Sequence, residues 1–299
     1  MHLNLDSLIL KAQHSFLDEL ERSKRNKRKK AEVQCTVNMD FEVKEIIRLM
    51  SMQKAVKAIA LGGSRAIGTA DNNSDYDIYV YGKRRIKKNI RKQILSRFCN
   101  YMEIGNSYWE TEDNCILNNG ISIDIIYRIT NNFIHNIAAV VEKGTSSNGY
   151  TTCMWHNLMT SKIIYDKNNC LENAKKRFSL PYPSHLKNNI IKRNMNLLTD
   201  SIVSYDNQIK KSIKRQDVVN IGNRISAFLG SYFDIIFALN ELQNPGEKYN
   251  VEICIEKCKL LPNGFEENIK SLYYCMGNDI DNTGSIIEKM IYELKHIVK

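Results

Sequence analysis

The fold is decided by two nearby stretches, AIALGGS at residues 58–64 and DYDIYVY at residues 75–81. The first is a short apolar run that ends in a glycine pair, which predicts a strand entering a tight turn. The second alternates in character and is closed by Gly82, which predicts a second strand. Residues 64–70 between them are expected to begin a helix, and residues 71–74 to form a polar loop.

The glycine turn has the composition of a phosphate cradle. Gly62 and Gly63 allow the backbone to turn sharply and to approach a phosphate closely, because neither carries a Cβ atom. Ser64 adds a hydroxyl, and the start of the following helix adds free N–H groups with a favourable dipole. Arg65 can reach a phosphate or pair with a surface acid, and both interpretations stay open. The turn is not a P-loop, because the Lys-Ser/Thr ending is absent.

Three aspartates are candidates for a metal site. Asp75 and Asp77 are two residues apart on the second predicted strand, so both carboxylates point to one face. Asp124 lies on a further predicted strand, residues 121–127, which follows the turn sequence Asn118-Asn119-Gly120. Adjacent acids repel unless a cation neutralises them, which favours a divalent metal. If the two strands are neighbours, the three carboxylates converge in an arrangement that can hold two metal ions about 4 Å apart for displacement at phosphorus.

The rest of the chain is predicted to be mainly helical. Apolar residues recur at helical spacing in several segments: 6–22, 41–57, 190–213, 218–239 and 286–298. The basic segment 84–98 is also expected to be helical, and strand signals stop after about residue 150. We therefore predict an α+β domain with a small mixed sheet over residues 1–150, including a helical N-terminal extension, and an α-helical bundle over residues 151–299.

Composition restricts the class of protein. The 299 residues are 43% hydrophobic and 25% charged, as in a soluble globular protein, and no apolar run is long enough to cross a membrane. The N-terminus does not resemble a signal peptide, and the 8 cysteines are spread along the chain without a disulfide pattern. We therefore expect a cytoplasmic protein without disulfide bonds.

The net charge of +10 is concentrated in two basic runs, residues 22–30 and 83–92. Such runs can bind nucleic acid or a nucleotide phosphate tail, or can simply be solvated surface. Aromatic residues do not interleave them as in a base-stacking surface, so the solvated interpretation is favoured and nucleic acid is only weakly supported.

Three residues of the C-terminal half are further candidates. Lys162 lies near the presumed domain junction, and Lys248 lies in a turn between helices, where it can clamp a triphosphate or remain solvated. Asp234 interrupts an apolar helical stretch, which is costly unless the carboxylate is paired or functional. It can be a general base for an acceptor hydroxyl, or part of a structural network with Arg224 or a tyrosine.

Residues 58–127 resemble the active-site signature of the DNA polymerase beta-like nucleotidyltransferase superfamily, which includes antibiotic nucleotidyltransferases and small antitoxin-type enzymes. A closer resemblance, to a bacterial group of nucleotidyltransferase-domain proteins, extends to about residue 249 through residues 155–162, 232–240 and 245–248. The resemblance implies that Gly63 and Ser64 bind the triphosphate and that Asp75 and Asp77 bind Mg²⁺. It implies that Asp124 is a metal ligand or general base.

The expected function is Mg²⁺-dependent transfer of a nucleoside monophosphate from ATP or another nucleoside triphosphate to a hydroxyl of a small molecule such as an antibiotic. The nucleotide is expected in the cleft between the two domains. A cationic aminoglycoside suits a chain of charge +10 poorly unless the cleft is locally acidic. The alternatives are a protein or RNA acceptor, or a non-catalytic nucleotide-sensing module. The acceptor, the nucleotide preference and the oligomeric state stay open.

Overall fold

The computed structural model describes residues 39–71 and 74–298, so the predicted helix over 6–22 and the first basic run lie outside the described residues. Six strands form one mixed sheet in the order β3-β4-β5-β2-β1-β6. The strands are β1 (Val56–Leu61), β2 (Tyr76–Gly82), β3 (Cys99–Asn106), β4 (Glu112–Leu117), β5 (Ser122–Ile129) and β6 (Lys162–Asp166).

The centre of the sheet is a parallel pair, β2 and β5, and all other neighbouring strands are antiparallel. The pair is in register, with Asp77 opposite Asp124 and Tyr79 opposite Ile126. After Asp77 and Asp124 both strands are largely buried and, except for Arg128, uncharged, as expected for a central parallel pair with little water contact. The expectation that the two aspartate strands are neighbours is therefore confirmed.

Three strands were not predicted. Strand β6 lies beyond residue 150 and pairs with β1, so the expectation that strands end there was wrong. It has only five residues and lies at the sheet edge, where a short sequence gives little alternation to detect. Strands β3 and β4 form a hairpin at the opposite edge, and β3 is largely exposed, so it lacks an apolar face.

Twelve α-helices complete the described residues. On the sheet side they are α1 (Phe41–Ser51), α2 (Gly63–Ile67), α3 (Lys88–Leu95), α4 (Thr130–Val141), α5 (Cys153–Thr160) and α6 (Cys170–Phe178). The C-terminal helices are α7 (Ser184–Leu198), α8 (Tyr205–Lys214), α9 (Val218–Leu239), α10 (Asn250–Lys257), α11 (Phe265–Asn278) and α12 (Ile280–Ile297). The predicted single helix over 190–213 is two helices, α7 and α8, separated by a short connection.

Among the described residues, two apolar cores connect the sheet with the helices of the second half. One lies between a sheet face and the helices that follow it, and includes Tyr81, Trp155 and Phe178. The other lies inside the C-terminal helices around Phe228 and Phe237, which confirms the predicted helical bundle. Helix α9 joins the two cores, because Ala238 packs in the first core and most of the helix packs in the second. The domain boundary at residue 150 stays a prediction.

Within residues 39–71 and 74–298, no helix combines the length and the apolar character that a membrane crossing requires.

Candidate active site

Three aspartates meet at one end of the β2–β5 pair. Asp77 and Asp124 face each other across the two strands, and Asp75 immediately precedes β2. One carboxylate oxygen from each of the three lies within 4.8 Å of the other two, and all three residues are half-buried. We call Asp75, Asp77 and Asp124 the acidic cluster. Carboxylate oxygens at this separation suit a hard divalent cation such as Mg²⁺, so the residues present fit the metal that the sequence implied.

The glycine pair is required by the side chains of β2. The Gly62 N–H donates a hydrogen bond of 2.8 Å to the carbonyl oxygen of Asp77, which holds the turn against β2. A Cβ atom on Gly62 would lie 2.1 Å from Cε2 of Tyr79. A Cβ atom on Gly63, whose φ is +58°, would lie 1.8 Å from Oδ2 of Asp77. The predicted phosphate cradle and the acidic cluster are therefore in direct contact, and only glycine fits both positions.

Arg65 lies where the sequence placed it but contacts other groups. Its Nε donates to the carbonyl oxygens of Ser74 at 3.1 Å and Asp75 at 3.0 Å, and Nη2 donates to Ser74 at 2.6 Å. Its guanidinium also lies 4.0 Å from the ring centroid of Tyr76. These contacts hold the backbone that carries Asp75. They make Arg65 a positioning residue and give the predicted phosphate-binding role no support.

Without a cation, the carboxylates of the acidic cluster repel one another. Burial, followed by the neighbouring charges of Asp75 and Asp124, raises the pKa of Asp77 from 3.8 to about 6. The positive charges of Lys248 and Arg128 oppose this rise. Asn114 donates a 2.8 Å hydrogen bond to Oδ1 of Asp124 and so fixes its orientation. A divalent cation would relieve the mutual repulsion of the carboxylates.

Both predicted lysines approach this end of the sheet. Lys248 is exposed, and its charge acts on Asp77, so a residue of the helical half lies close to the acidic cluster. Lys162 is the exposed first residue of β6 and pairs with Leu61, directly before the glycine turn. Their positions suit the charge of a bound triphosphate, and their roles stay predictions.

Asp234 is not part of the acidic cluster. It is only 1% exposed and lies in the last third of α9. Its carboxylate accepts hydrogen bonds from the Thr151 hydroxyl at 2.6 Å, the Thr151 N–H and the Asn244 side chain at 3.1 Å. This network favours the structural alternative over the general base, with partners other than the Arg224 or tyrosine that were expected.

Sequence reasoning missed Arg128, the one charged residue in the apolar second half of β5. It is 7% exposed and forms a two-bond ion pair with Glu110 at 2.6 and 2.9 Å. It also donates to Asn157 of α5 at 2.7 Å, and Asn157 in turn donates to the Tyr79 hydroxyl at 2.7 Å. Arg128 therefore ties β5 to α5 behind the acidic cluster. A lone arginine in an apolar strand was the available signal.

The two tryptophans are in opposite environments. Trp155 is buried, and its indole N–H donates to the Phe178 carbonyl oxygen at 3.0 Å, so it is a core residue. Trp109 is 90% exposed and lies between β3 and β4, one residue before Glu110.

Comparisons with known proteins agree with the geometry over the sheet. The protein-family description "Polymerase beta, Nucleotidyltransferase" matches residues 44–143, a segment that holds the glycine pair and the whole acidic cluster. No curated protein matches the chain.

Several solved structures overlap weakly with the chain. A nucleotidyltransferase-like protein from Exiguobacterium sibiricum has 11% identity and a TM-score of 0.41, covering 86% of this chain and 73% of its own. An aminoglycoside 6-adenyltransferase from Bacillus subtilis has 10% identity and a TM-score of 0.28, covering 87% of this chain and 92% of its own. A Thermotoga maritima CCA-adding enzyme complexed with tRNA has 11% identity and a TM-score of 0.24, covering 87% of this chain and 82% of its own. These scores are too low to support an inference about substrate.

The family match and the acidic cluster fall on the same residues. Residues 44–143 therefore match the polymerase beta nucleotidyltransferase family, and this match supports nucleotidyltransferase activity for the segment that holds the acidic cluster.

Proposed function

We propose that the chain transfers a nucleoside monophosphate from a nucleoside triphosphate, ATP first among the candidates, to a hydroxyl group of a small molecule. The observation that carries this proposal is the acidic cluster, whose three carboxylate oxygens lie within 4.8 Å of one another beside the glycine pair. Acids gathered beside a phosphate cradle suit displacement at phosphorus, where catalysis depends on positioning and on charge neutralisation.

Mg²⁺ held by Asp75, Asp77 and Asp124 would neutralise phosphate charge and lower the pKa of the attacking hydroxyl. The chain's own residues bind and orient the substrates. Gly63 and Ser64 offer the backbone N–H groups and hydroxyl that receive the triphosphate.

The proposed reaction balances as a single displacement. The acceptor oxygen forms a bond to the α-phosphorus, and the bond from that phosphorus to the bridging oxygen breaks. Pyrophosphate leaves with the electron pair, next to Lys248 and Lys162. Asp124 takes the hydroxyl proton.

A neutral or weakly cationic acceptor agrees best with the charge of the chain. The net charge of +10 disfavours the approach of a strongly cationic acceptor by general electrostatics.

Label transfer tests the proposal directly. Purified protein is incubated with Mg²⁺ and each α-labelled nucleoside triphosphate, alone and with pools of small molecules, RNA and protein. We expect metal-dependent transfer to the small-molecule pool with release of pyrophosphate. Asp77→Asn should abolish transfer while the near-ultraviolet circular dichroism stays unchanged. The control Asp200→Asn, at an exposed carboxylate paired with Lys295, should transfer normally.

Three other outcomes would contradict parts of the proposal. Undiminished transfer by Asp77→Asn contradicts the site assignment. Transfer to RNA or protein replaces the small-molecule acceptor. Nucleotide binding without transfer to any pool favours the sensing module.

A further inference from the structure

A cavity lies at the opposite end of the sheet from the acidic cluster. Its volume is about 480 Å³. It forms where β5 ends and α4 begins, beside the start of β1 and the residues that follow β6. The lining residues are Lys57, Lys83, Ile129, Thr130, Asn131, Lys167, Asn168 and Cys170. Ile129 lies five residue steps along β5 from Asp124, which corresponds to about 17 Å. The cavity is therefore distinct from the candidate active site.

Three lysines make this cavity strongly basic. Lys57 lies on β1, Lys83 directly follows β2, and Lys167 directly follows β6. The Lys83 N–H donates to the Ala55 carbonyl oxygen at 3.1 Å, which fixes its backbone beside the start of β1. Among the described residues, none of the three lysines forms a salt bridge, and no acidic residue lines the cavity.

Asp166, which directly precedes Lys167, is already engaged in hydrogen bonds. Its carboxylate accepts hydrogen bonds of 2.7 to 2.9 Å from the N–H groups of Cys170, Leu171 and Glu172 at the start of α6. The lysine charges in the cavity consequently have no dedicated counter-ion in the described part of the chain.

The N-terminus of α4 also faces this region without a cap. This twelve-residue helix has Ile129 at the N-cap position, where no side chain can accept a hydrogen bond, and its first turn has no acidic residue. Its first N–H groups and its dipole therefore favour an anion.

Thr130 gives independent evidence for a missing ligand. It lines the cavity and is only 5% exposed. Its hydroxyl has no hydrogen-bond partner among the described residues. A buried hydroxyl is normally paired, because an unpaired one loses its hydrogen bonds to water without compensation.

We propose that this cavity binds a phosphate-type oxyanion, either inorganic or as the phosphate group of a small molecule. The lysines supply charge, the start of α4 supplies N–H donors, and Thr130 supplies a hydroxyl donor. The bounded volume favours a small anion over a nucleic-acid backbone. The site is separate from the acidic cluster, so it does not depend on the proposed nucleotidyl transfer.

Calorimetric titration of the full chain tests this site. Inorganic phosphate, pyrophosphate and AMP are titrated in EDTA, where the metal-free acidic cluster repels anions. We expect one binding site for at least one of these anions. The double variant Lys57→Gln/Lys167→Gln should bind about tenfold more weakly or worse, because it loses two charged donors. The control Lys214→Gln, an exposed lysine of α8, should change the affinity less than twofold.

Thr130→Val provides a second, nearly isosteric variant. It should weaken anion binding about threefold to tenfold, since the hydroxyl donor is lost. Its melting temperature without anion should not fall, because the hydroxyl has no partner to lose. Nucleotidyl transfer by both the double variant and Thr130→Val should stay within twofold of the parent.

Four results would overturn the proposal: no binding in EDTA, unchanged binding by Lys57→Gln/Lys167→Gln, equal weakening by Lys214→Gln, or tighter binding of an RNA oligonucleotide through the same lysines. The last would show a steep dependence on salt concentration and would assign the surface to nucleic acid. All four are independent of whether transfer activity is found.

Discussion

At the scale of single residues, the contact between Gly63 and Asp77 determines the site. The positive φ of Gly63 and the carboxylate of Asp77 occupy space that a side chain at position 63 would need. Sequence reasoning predicted both residues, because a glycine pair and a pair of acids are each recognisable locally. It could not predict that Arg65 binds the Asp75 backbone, since an arginine's partner depends on contacts that form only in the fold.

Gly63→Ala is expected to lower transfer activity by about a hundredfold or more, because the new Cβ atom displaces the Asp77 carboxylate and misplacement of about 1 Å has that cost. Initial rates of label transfer measure the effect. Gly277→Ala serves as the control, because no atom lies near its Cβ position and its helix favours alanine. Full activity of Gly63→Ala would show that the contact is not needed for catalysis.

The raised pKa of Asp77 predicts a pH-dependent stability in EDTA. Folding raises this pKa from 3.8 to about 6, so the folded state holds the proton more tightly than the unfolded state. The resulting stability is fully present below the unfolded pKa and is lost as pH rises through about 6. At pH 7.5, the free energy of unfolding of Asp77→Asn should therefore exceed that of the parent by about 1 kcal/mol, after allowance for partial solvent exposure. The variant should accordingly unfold at a higher urea concentration.

Saturating Mg²⁺ should remove this difference, because the cation stabilises the ionised parent. Urea denaturation at pH 4, 6 and 7.5, with and without Mg²⁺, measures the effect. A parent more stable than Asp77→Asn in EDTA at pH 7.5 would contradict the electrostatic account.

At the scale of elements, the parallel β2–β5 pair brings distant acids together. Local periodicity was enough to predict both strands. The in-register pairing of Asp77 with Asp124 confirms that the two strands are neighbours in the sheet. Periodicity was not enough for β6 or for the β3–β4 hairpin. Strands β6 and β3 lie at the two edges of the sheet, so their pairing depends on the rest of the sheet more than on their own pattern.

Helix α9 offers a test of the two interpretations of Asp234. If its role is structural, Asp234→Ala leaves the donors of Thr151 and Asn244 unpaired and lowers the free energy of unfolding by about 2 to 4 kcal/mol. The kcat of the folded fraction should then stay within about threefold of the parent. Denaturation and steady-state kinetics of the same preparation separate the two. A large loss of kcat in Asp234→Asn with unchanged stability would instead support the interpretation of Asp234 as a general base.

At the scale of the whole molecule, the helical half contributes charge to the site on the sheet. Sequence reasoning placed Lys248 in a turn after the long helix, and its charge indeed acts on Asp77. The sequence did not predict that α9 packs in both apolar cores, because an amphipathic pattern identifies an apolar face but not its partner.

Lys248→Gln is expected to raise the KM for the nucleoside triphosphate about threefold to thirtyfold with a smaller effect on kcat, because a charge that contacts bound phosphates in ground and transition state contributes mainly to binding. Stability should not change, since the side chain is exposed. The matched control is Lys259→Gln, an exposed lysine of the same half. If both variants have the same KM and kcat, Lys248 does not contribute to nucleotide binding.

The pairing of β2 with β5 also sets the earliest moment in biosynthesis at which the metal site can exist. As the polypeptide leaves the ribosome, Asp75 and Asp77 emerge together, but their third carboxylate waits for β5 and Lys248 comes later still. Domains fold as units during translation, with the earlier parts first. A truncated nascent chain that ends before β5 therefore carries two acids without the complete cation site. The complete acidic cluster can therefore form only after β5 has emerged.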